Sequence, residues 1–210
     1  MSKGKEIVAK LFDKYYGGEK ARQAAFTALS NWCRPKQVLY PGGFIHINAS
    51  FEFPSVTYVD NDKNAKKFFN YMDDVTTLVS KQKVYEDEPE LRFYGQSYEI
   101  PIDEPDESYD LIISLYAGFI SKPCKRYLKK GGVLAVNNSH GDAGLASIDS
   151  DLKFIGVIKG SGENLKVCES KLDDYFHPKK DIQITEELLR DSGRGVGYTK
   201  TAPLYLFRKK

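Results

Sequence analysis

At 210 residues with 41% apolar side chains, the chain is long enough for one α/β domain with a helical addition at its N-terminal end. A formal net charge of +2 gives no argument for nucleic acid or an anionic membrane as partner. No apolar run approaches the ~18 residues that a bilayer span needs. The lysine-bearing N-terminus has no hydrophobic signal region, and Cys33, Cys124 and Cys168 are scattered without a C-x-x-C. These features lead us to expect a cytoplasmic protein with three reduced thiols.

In chain order, residues 5–16 place Ile7, Val8, Leu11, Phe12 and Tyr15 on one helical face, and Gly17-Gly18 ends that helix. A second helix is expected over about 19–32, with Phe26 and Leu29 inward, closed by Arg34-Pro35 because proline disfavours helical backbone in the residue before it. The first strand, 37–40, ends at Pro41-Gly42-Gly43, and the second, 56–59, ends at Asp60. Strand, glycine turn, crossover, strand and carboxylate form the layout of a nucleotide-binding βαβ unit. Eighteen residues separate Gly42 from Asp60, close to the ~20 that such a unit uses.

An amphipathic helix is expected over 64–80, with Phe68, Phe69, Met72, Val75 and Val79 inward. Strands follow at 91–94 and 109–115, then a helix over 119–129 stopped by Gly131-Gly132, and a strand at 133–137. Further strands are read at 153–158, 165–168 and 204–207, with Thr185 capping a short helix through 189. Strands alternating with helices argue for an open α/β fold, a mostly parallel sheet covered on both faces. Without an internal repeat or linker, we divide the chain into a helical addition, 1–35, and one sheet domain, 36–210.

Three phrases carry a resemblance: the Val-Leu-Tyr-Pro-Gly-Gly turn at 38–43, Tyr-Val-Asp at 58–60, and Ser-Tyr-Asp-Leu-Ile-Ile-Ser at 108–114 with Tyr-Leu-Lys-Lys-Gly-Gly-Val-Leu at 127–134. Over roughly 36–210 the chain resembles a class I S-adenosylmethionine-dependent methyltransferase. The resemblance implies a seven-stranded Rossmann-like sheet whose antiparallel final strand is 204–207, and S-adenosylmethionine as cofactor. The glycine motif departs from that family. Tyr40 stands in the acidic place, and Phe44 and His46 stand in the second and third glycine places. With side chains there the loop must widen or take another path.

Asp60 is the first candidate ligand, as a carboxylate accepting from a ribose diol; Asp-Asn-Asp is also ordinary turn composition, with Asp62 as helix cap. Gly42 and Gly43 form either a cofactor-facing turn or a plain tight connection, and Tyr40 either lines that crevice or is buried. Gln96 and Ser97 lie where this architecture contacts an adenine ring, or in a polar loop. Ser114 ends the fourth strand at the carboxyl edge, which in the family faces the methyl group, and Tyr116 either shapes a substrate pocket or packs in the core.

His140 is a candidate general base with Asp142 orienting it; as ordinary structure they are a turn residue and a helix cap. No histidine has metal-ligand spacing, and no metal is expected. Lys122, Lys125, Arg126, Lys129 and Lys130 read as a solvated helix face.

The resemblance implies a methyltransferase acting on a small molecule or an exposed protein side chain. The Asn/Asp-Pro-Pro-Tyr tetrapeptide of nucleic-acid amino-methylating enzymes is absent. The alternative, favoured by the replaced glycines, is a non-catalytic module of the same fold that holds a nucleotide or a partner. A dinucleotide-dependent oxidoreductase is a weaker third, because G-x-G-x-x-G counted from Gly42 meets Phe44 and Ile47.

Overall fold

The computed structural model describes residues 2–16 and 20–210, the side chains of 20–22 excepted. The expected stop at Gly17-Gly18 and the helix start at residue 19 lie outside the described residues. Two helices, α1 (Lys3–Tyr16) and α2 (Lys20–Cys33), precede strand β1 (Val38–Pro41), the short α3 (Ala49–Glu52) and β2 (Ser55–Val59). Next come α4 (Lys63–Phe69), α5 (Met72–Ser80), β3 (Glu90–Tyr94), β4 (Tyr109–Ser114) and α6 (Ser121–Cys124). The remainder is β5 (Leu128–Val136), α7 (Asp142–Ile148), β6 (Leu152–Ser161), β7 (Asn164–Cys168), α8 (Glu186–Ser192) and β8 (Leu204–Lys209).

The sheet has eight strands in the order β3-β2-β1-β4-β5-β8-β6-β7. Strands β1 to β5 pair in parallel, whereas β8 runs antiparallel between β5 and β6. The final strand therefore fills the place expected of it. The strand beyond the expected seven is β7, the outer arm of a hairpin with β6.

Strand side chains alternate between two buried faces, as a period of two requires. Val38, Tyr40, Leu111, Ile113, Leu204 and Leu206 face the core under α1–α5. Leu39, Ile112, Tyr205 and Phe207 face the other core, with Ile120, Tyr127, Ala143 and Ala146. Helix α1 buries Val8 and Phe12, one turn apart, and Phe12 meets Phe51 edge-on at 6.0 Å. Asp62 caps α4 as expected, its carboxylate accepting from Asn64 N and Ala65 N. Thr185 caps α8 through Leu188 N, and Gly193 ends that helix at φ +57°.

Two expected helices differ. The helix over 64–80 is two, broken at Tyr71, whose backbone (φ −107°, ψ 49°) is not helical. The break leaves Phe69 stacked on Phe93 of β3 at 4.3 Å. The helix over 119–129 is reduced to α6 and a 3-10 turn over Lys125–Tyr127, because Leu128 opens the pairing of β5 with β4. Tyr109 pairs with Leu128 and Leu111 with Val133, so Gly131 and Gly132 form a bulge inside β5 and stop no helix. Gly131 takes φ +79° there. Helix α7 starts where Asp142 reads as a helix cap, but Gly141 stands at the cap and Asp142 is the first helical residue. Among the described residues no helix is long and apolar enough to cross a membrane.

Candidate functional site at the carboxyl edge

The strand order reverses between β1 and β4, and the carboxyl ends of parallel strands at such a point form the usual ligand crevice of an open α/β sheet. The Gly42 turn, Asp60 and the turn after β4 all lie at this edge. Gly42 takes φ +65° and donates its N–H to Val59 O at 2.8 Å, which ties the first turn to the end of β2. Asp60 is half-buried; its Oδ2 accepts from Phe44 N and its Oδ1 from Asp62 N, both at 2.8 Å. An ionised carboxylate has about four acceptor positions, so two remain for a ribose diol.

The loop after Gly43 takes another path rather than widening. Phe44 adopts φ +52° and turns its ring onto Tyr15 and Tyr16 of α1, at 5.0 and 6.5 Å between centroids. Ile45, His46 and Ile47 are buried beyond it, His46 stacking on Tyr16 at 4.5 Å. The first helix of the crossover, α3, has only four residues, so no long helix N-terminus stands ready for a pyrophosphate.

Tyr40 is 1% exposed and bonds His46 Nδ1 through its hydroxyl at 2.8 Å, so it belongs to the core and does not line the crevice. Gln96 donates to Ile100 O and Pro101 O, and Ser97 Oγ accepts from Glu99 N; both hold their own loop. The neighbour that does reach the crevice is Tyr98, which no sequence motif singles out. A Cβ on Gly42 would lie 2.5 Å from Ala117 Cβ and 3.6 Å from Tyr98 Cε1, and one on Gly118 would lie 2.7 Å from the Tyr98 hydroxyl. Burial raises the Tyr98 hydroxyl above its ordinary pKa. Ala117 and Tyr98 thus stand directly over the first glycine.

Ser114 and Asp142 come together, but Asp142 does not orient His140. The Asp142 carboxylate accepts from Ser114 Oγ (2.7 Å), Ile120 N (3.1 Å), Ser121 N (3.1 Å) and Ser121 Oγ (2.5 Å). It is 2% exposed, and Ser114 is 1% exposed, so the pair clamps β4, the loop before α6 and α7 from inside. His140 is exposed and its Nδ1 meets Ser139 Oγ at 2.9 Å. Tyr116 is 58% exposed with φ +55°, and its N–H donates to Asn137 Oδ1. Non-glycine residues in that region are strained and gather at functional sites.

Four of the five basic residues from Lys122 to Lys130 make ion pairs: Lys122 with Glu186, Lys125 with Asp149 and Asp151, Arg126 with Asp106, and Lys129 with Asp110. Among the described residues no group of three or more His, Cys, Asp or Glu is placed to hold a metal ion.

No family model and no curated protein sequence matches the chain. Among solved structures it is similar to YcgJ of Bacillus subtilis at 18% identity and TM-score 0.44, covering 60% of this chain and 55% of that one, little more than half its length. It is similar to a methyltransferase from Geobacter sulfurreducens at 14% identity and TM-score 0.49, covering 79% and 88% of the two chains. It is also similar to the O-methyltransferase TomG of Streptomyces achromogenes, involved in tomaymycin synthesis and solved with S-adenosylmethionine, at 11% identity and TM-score 0.48, covering 80% and 87%. Similarities at this level carry no argument about activity. The strand order, with its antiparallel final strand inserted beside β5, gives the chain an open, mostly parallel Rossmann-like sheet.

Proposed function

We propose that the chain is an S-adenosylmethionine-dependent methyltransferase acting on a small molecule or an exposed protein side chain. The observation that carries this reading is the convergence of the Gly42 turn, Asp60 and the turn at 116–118 on the strand-order reversal between β1 and β4. Asp60, with acceptor positions to spare, suits the ribose of the cofactor, and the Gly42-Gly43 backbone would adjoin it. The methionine end has no room while Tyr98 and Ala117 cover Gly42. When bound, the cofactor supplies a methyl group on a sulfonium, an already activated leaving group.

The closed contact over Gly42 favours a second reading, in which the same fold binds a nucleotide or partner and transfers nothing. Calorimetric titration with S-adenosylmethionine and S-adenosylhomocysteine separates the two. On the methyltransferase reading the protein binds both. Asp60→Asn weakens binding about 10-fold or more, as expected for one charge-assisted bond of ~1.5–3 kcal/mol. Tyr98→Ala tightens it by uncovering the crevice. Heat from neither ligand, in the native protein or in folded Tyr98→Ala, would leave the binding module as the better reading.

A further inference from the structure

A second concavity lies at the same edge on the side of β5, β8 and β6, with a volume of about 230 Å³. Leu115, Leu165, Pro203 and Leu204 make an apolar wall, and the turn at 160–162 closes one end. Among the described residues no acidic or basic side chain lines it. Its polar lining comprises Asn137, which is 8% exposed, with Tyr116 and Ser161. Asn137 Oδ1 accepts from Tyr116 N (3.3 Å), Ser139 N (3.5 Å) and Ser139 Oγ (3.0 Å), which fixes the orientation of the amide. Its Nδ2 has no hydrogen-bond partner among the described residues. An amide donor with no partner among the described residues, in a mostly apolar wall that also holds Tyr116 and Ser161, is the complement of a neutral acceptor.

We propose that this cavity binds a small uncharged molecule of single-ring size that presents one hydrogen-bond acceptor to Asn137 Nδ2. Resting on the methyltransferase reading, such a molecule is the methyl acceptor, approaching from the side of Tyr116 opposite the Gly42 turn. Charged molecules are disfavoured because the described residues of the wall offer them no counter-charge to offset desolvation. The volume falls below the ~300–1,000 Å³ of sites for drug-sized ligands, which limits the occupant to about one ring.

The test uses three probes of one shape and different charge, benzamide, benzoate and benzylammonium, titrated into the full chain without cofactor and followed by NMR. Benzamide is expected to bind at least ~10-fold more tightly than either ion. Asn137→Asp keeps an acceptor for Tyr116 N and Ser139 but removes the donor, and is expected to weaken benzamide by ~10-fold or more. Leu165→Trp, on β7 and away from Asn137, fills the cavity and is expected to abolish binding. Equal binding of the three probes, binding of none, or benzamide binding unchanged in both variants overturns the proposal. The readout is binding without cofactor, so failure of S-adenosylmethionine to bind would remove the methyltransferase reading and leave the result for the cavity standing.

Discussion

Asp142→Ala is expected to lower the unfolding free energy by about 4 kcal/mol, read from a urea titration as a reduced midpoint with unchanged slope. The carboxylate is 2% exposed and receives four donors, the hydroxyls of Ser114 and Ser121 and the amides of Ile120 and Ser121. Alanine leaves Ser121 N and the two hydroxyls without this acceptor, while Ile120 N keeps its second one, Gly118 O at 3.1 Å. The hydroxyls can rotate toward other partners, whereas the Ser121 amide is fixed, and each buried donor left unsatisfied costs ~1–3 kcal/mol. Asp142→Asn keeps the shape but sets a donor against donors, and is expected to lose at least ~2 kcal/mol. A loss below ~1 kcal/mol in both variants would mean that the clamp contributes little to stability.

The same carboxylate gives a pH signature. Burial raises the Asp142 carboxyl above its ordinary range, and the hydrogen bonds from Ser121, Ser114 and Ile120 only partly offset that. The folded chain therefore binds more protons than the unfolded one between the ordinary pKa of ~3.9 and the raised value. This group's contribution is fully present below the unfolded pKa and is lost as pH rises through the folded one. Asp110 behaves oppositely: burial raises it, but the hydrogen bonds from Lys129, Gln37 and Lys36 outweigh burial and hold it below the ordinary range. Its contribution is lost as pH falls. The stability gap between the native protein and Asp142→Asn is accordingly expected to narrow from pH 4 toward neutrality, a trend that equal gaps across that range would refute.

The sheet was legible because its strands are buried on both faces, and continuous runs such as Leu111, Ile112 and Ile113 mark themselves without any long-range information. The Asp62 and Thr185 caps were legible for a similar reason, since capping acts within three residues. The helix expected over 119–129 failed where a local pattern lost to a non-local one. Apolar residues at helical spacing are also compatible with a strand entry, and the pairing of Leu128 with Tyr109 decided it. At the site, the sequence located the edge but not its lining. Asp142 reads as a helix cap ahead of a partner for His140. Only the fold brings Ser114 and Ser121 to it. Tyr98 had no signal at all, because its role depends on a loop that crosses above Gly42 and Gly118.

Gly42→Ala is the second substitution with a large expected effect, about 3 kcal/mol, and Ala117→Gly should rescue part of it. Two penalties combine in the first variant. Alanine at φ +65° costs ~1–2 kcal/mol through the clash of its Cβ with the backbone. That Cβ would also stand 2.5 Å from Ala117 Cβ, an overpacking that costs ~1–3 kcal/mol unless the turn at 116–118 shifts. Ala117→Gly removes the second penalty and leaves the first, so the double variant is expected to recover ~1–2 kcal/mol relative to the sum of the single losses. The cycle reads the contact that covers the methionine end of the proposed cofactor site. A coupling of that size means that the two turns touch in solution and that a cofactor must displace the loop. Additive losses mean that they stand apart, and the space over Gly42 is then open to a methionine-sized ligand without any movement of Tyr98.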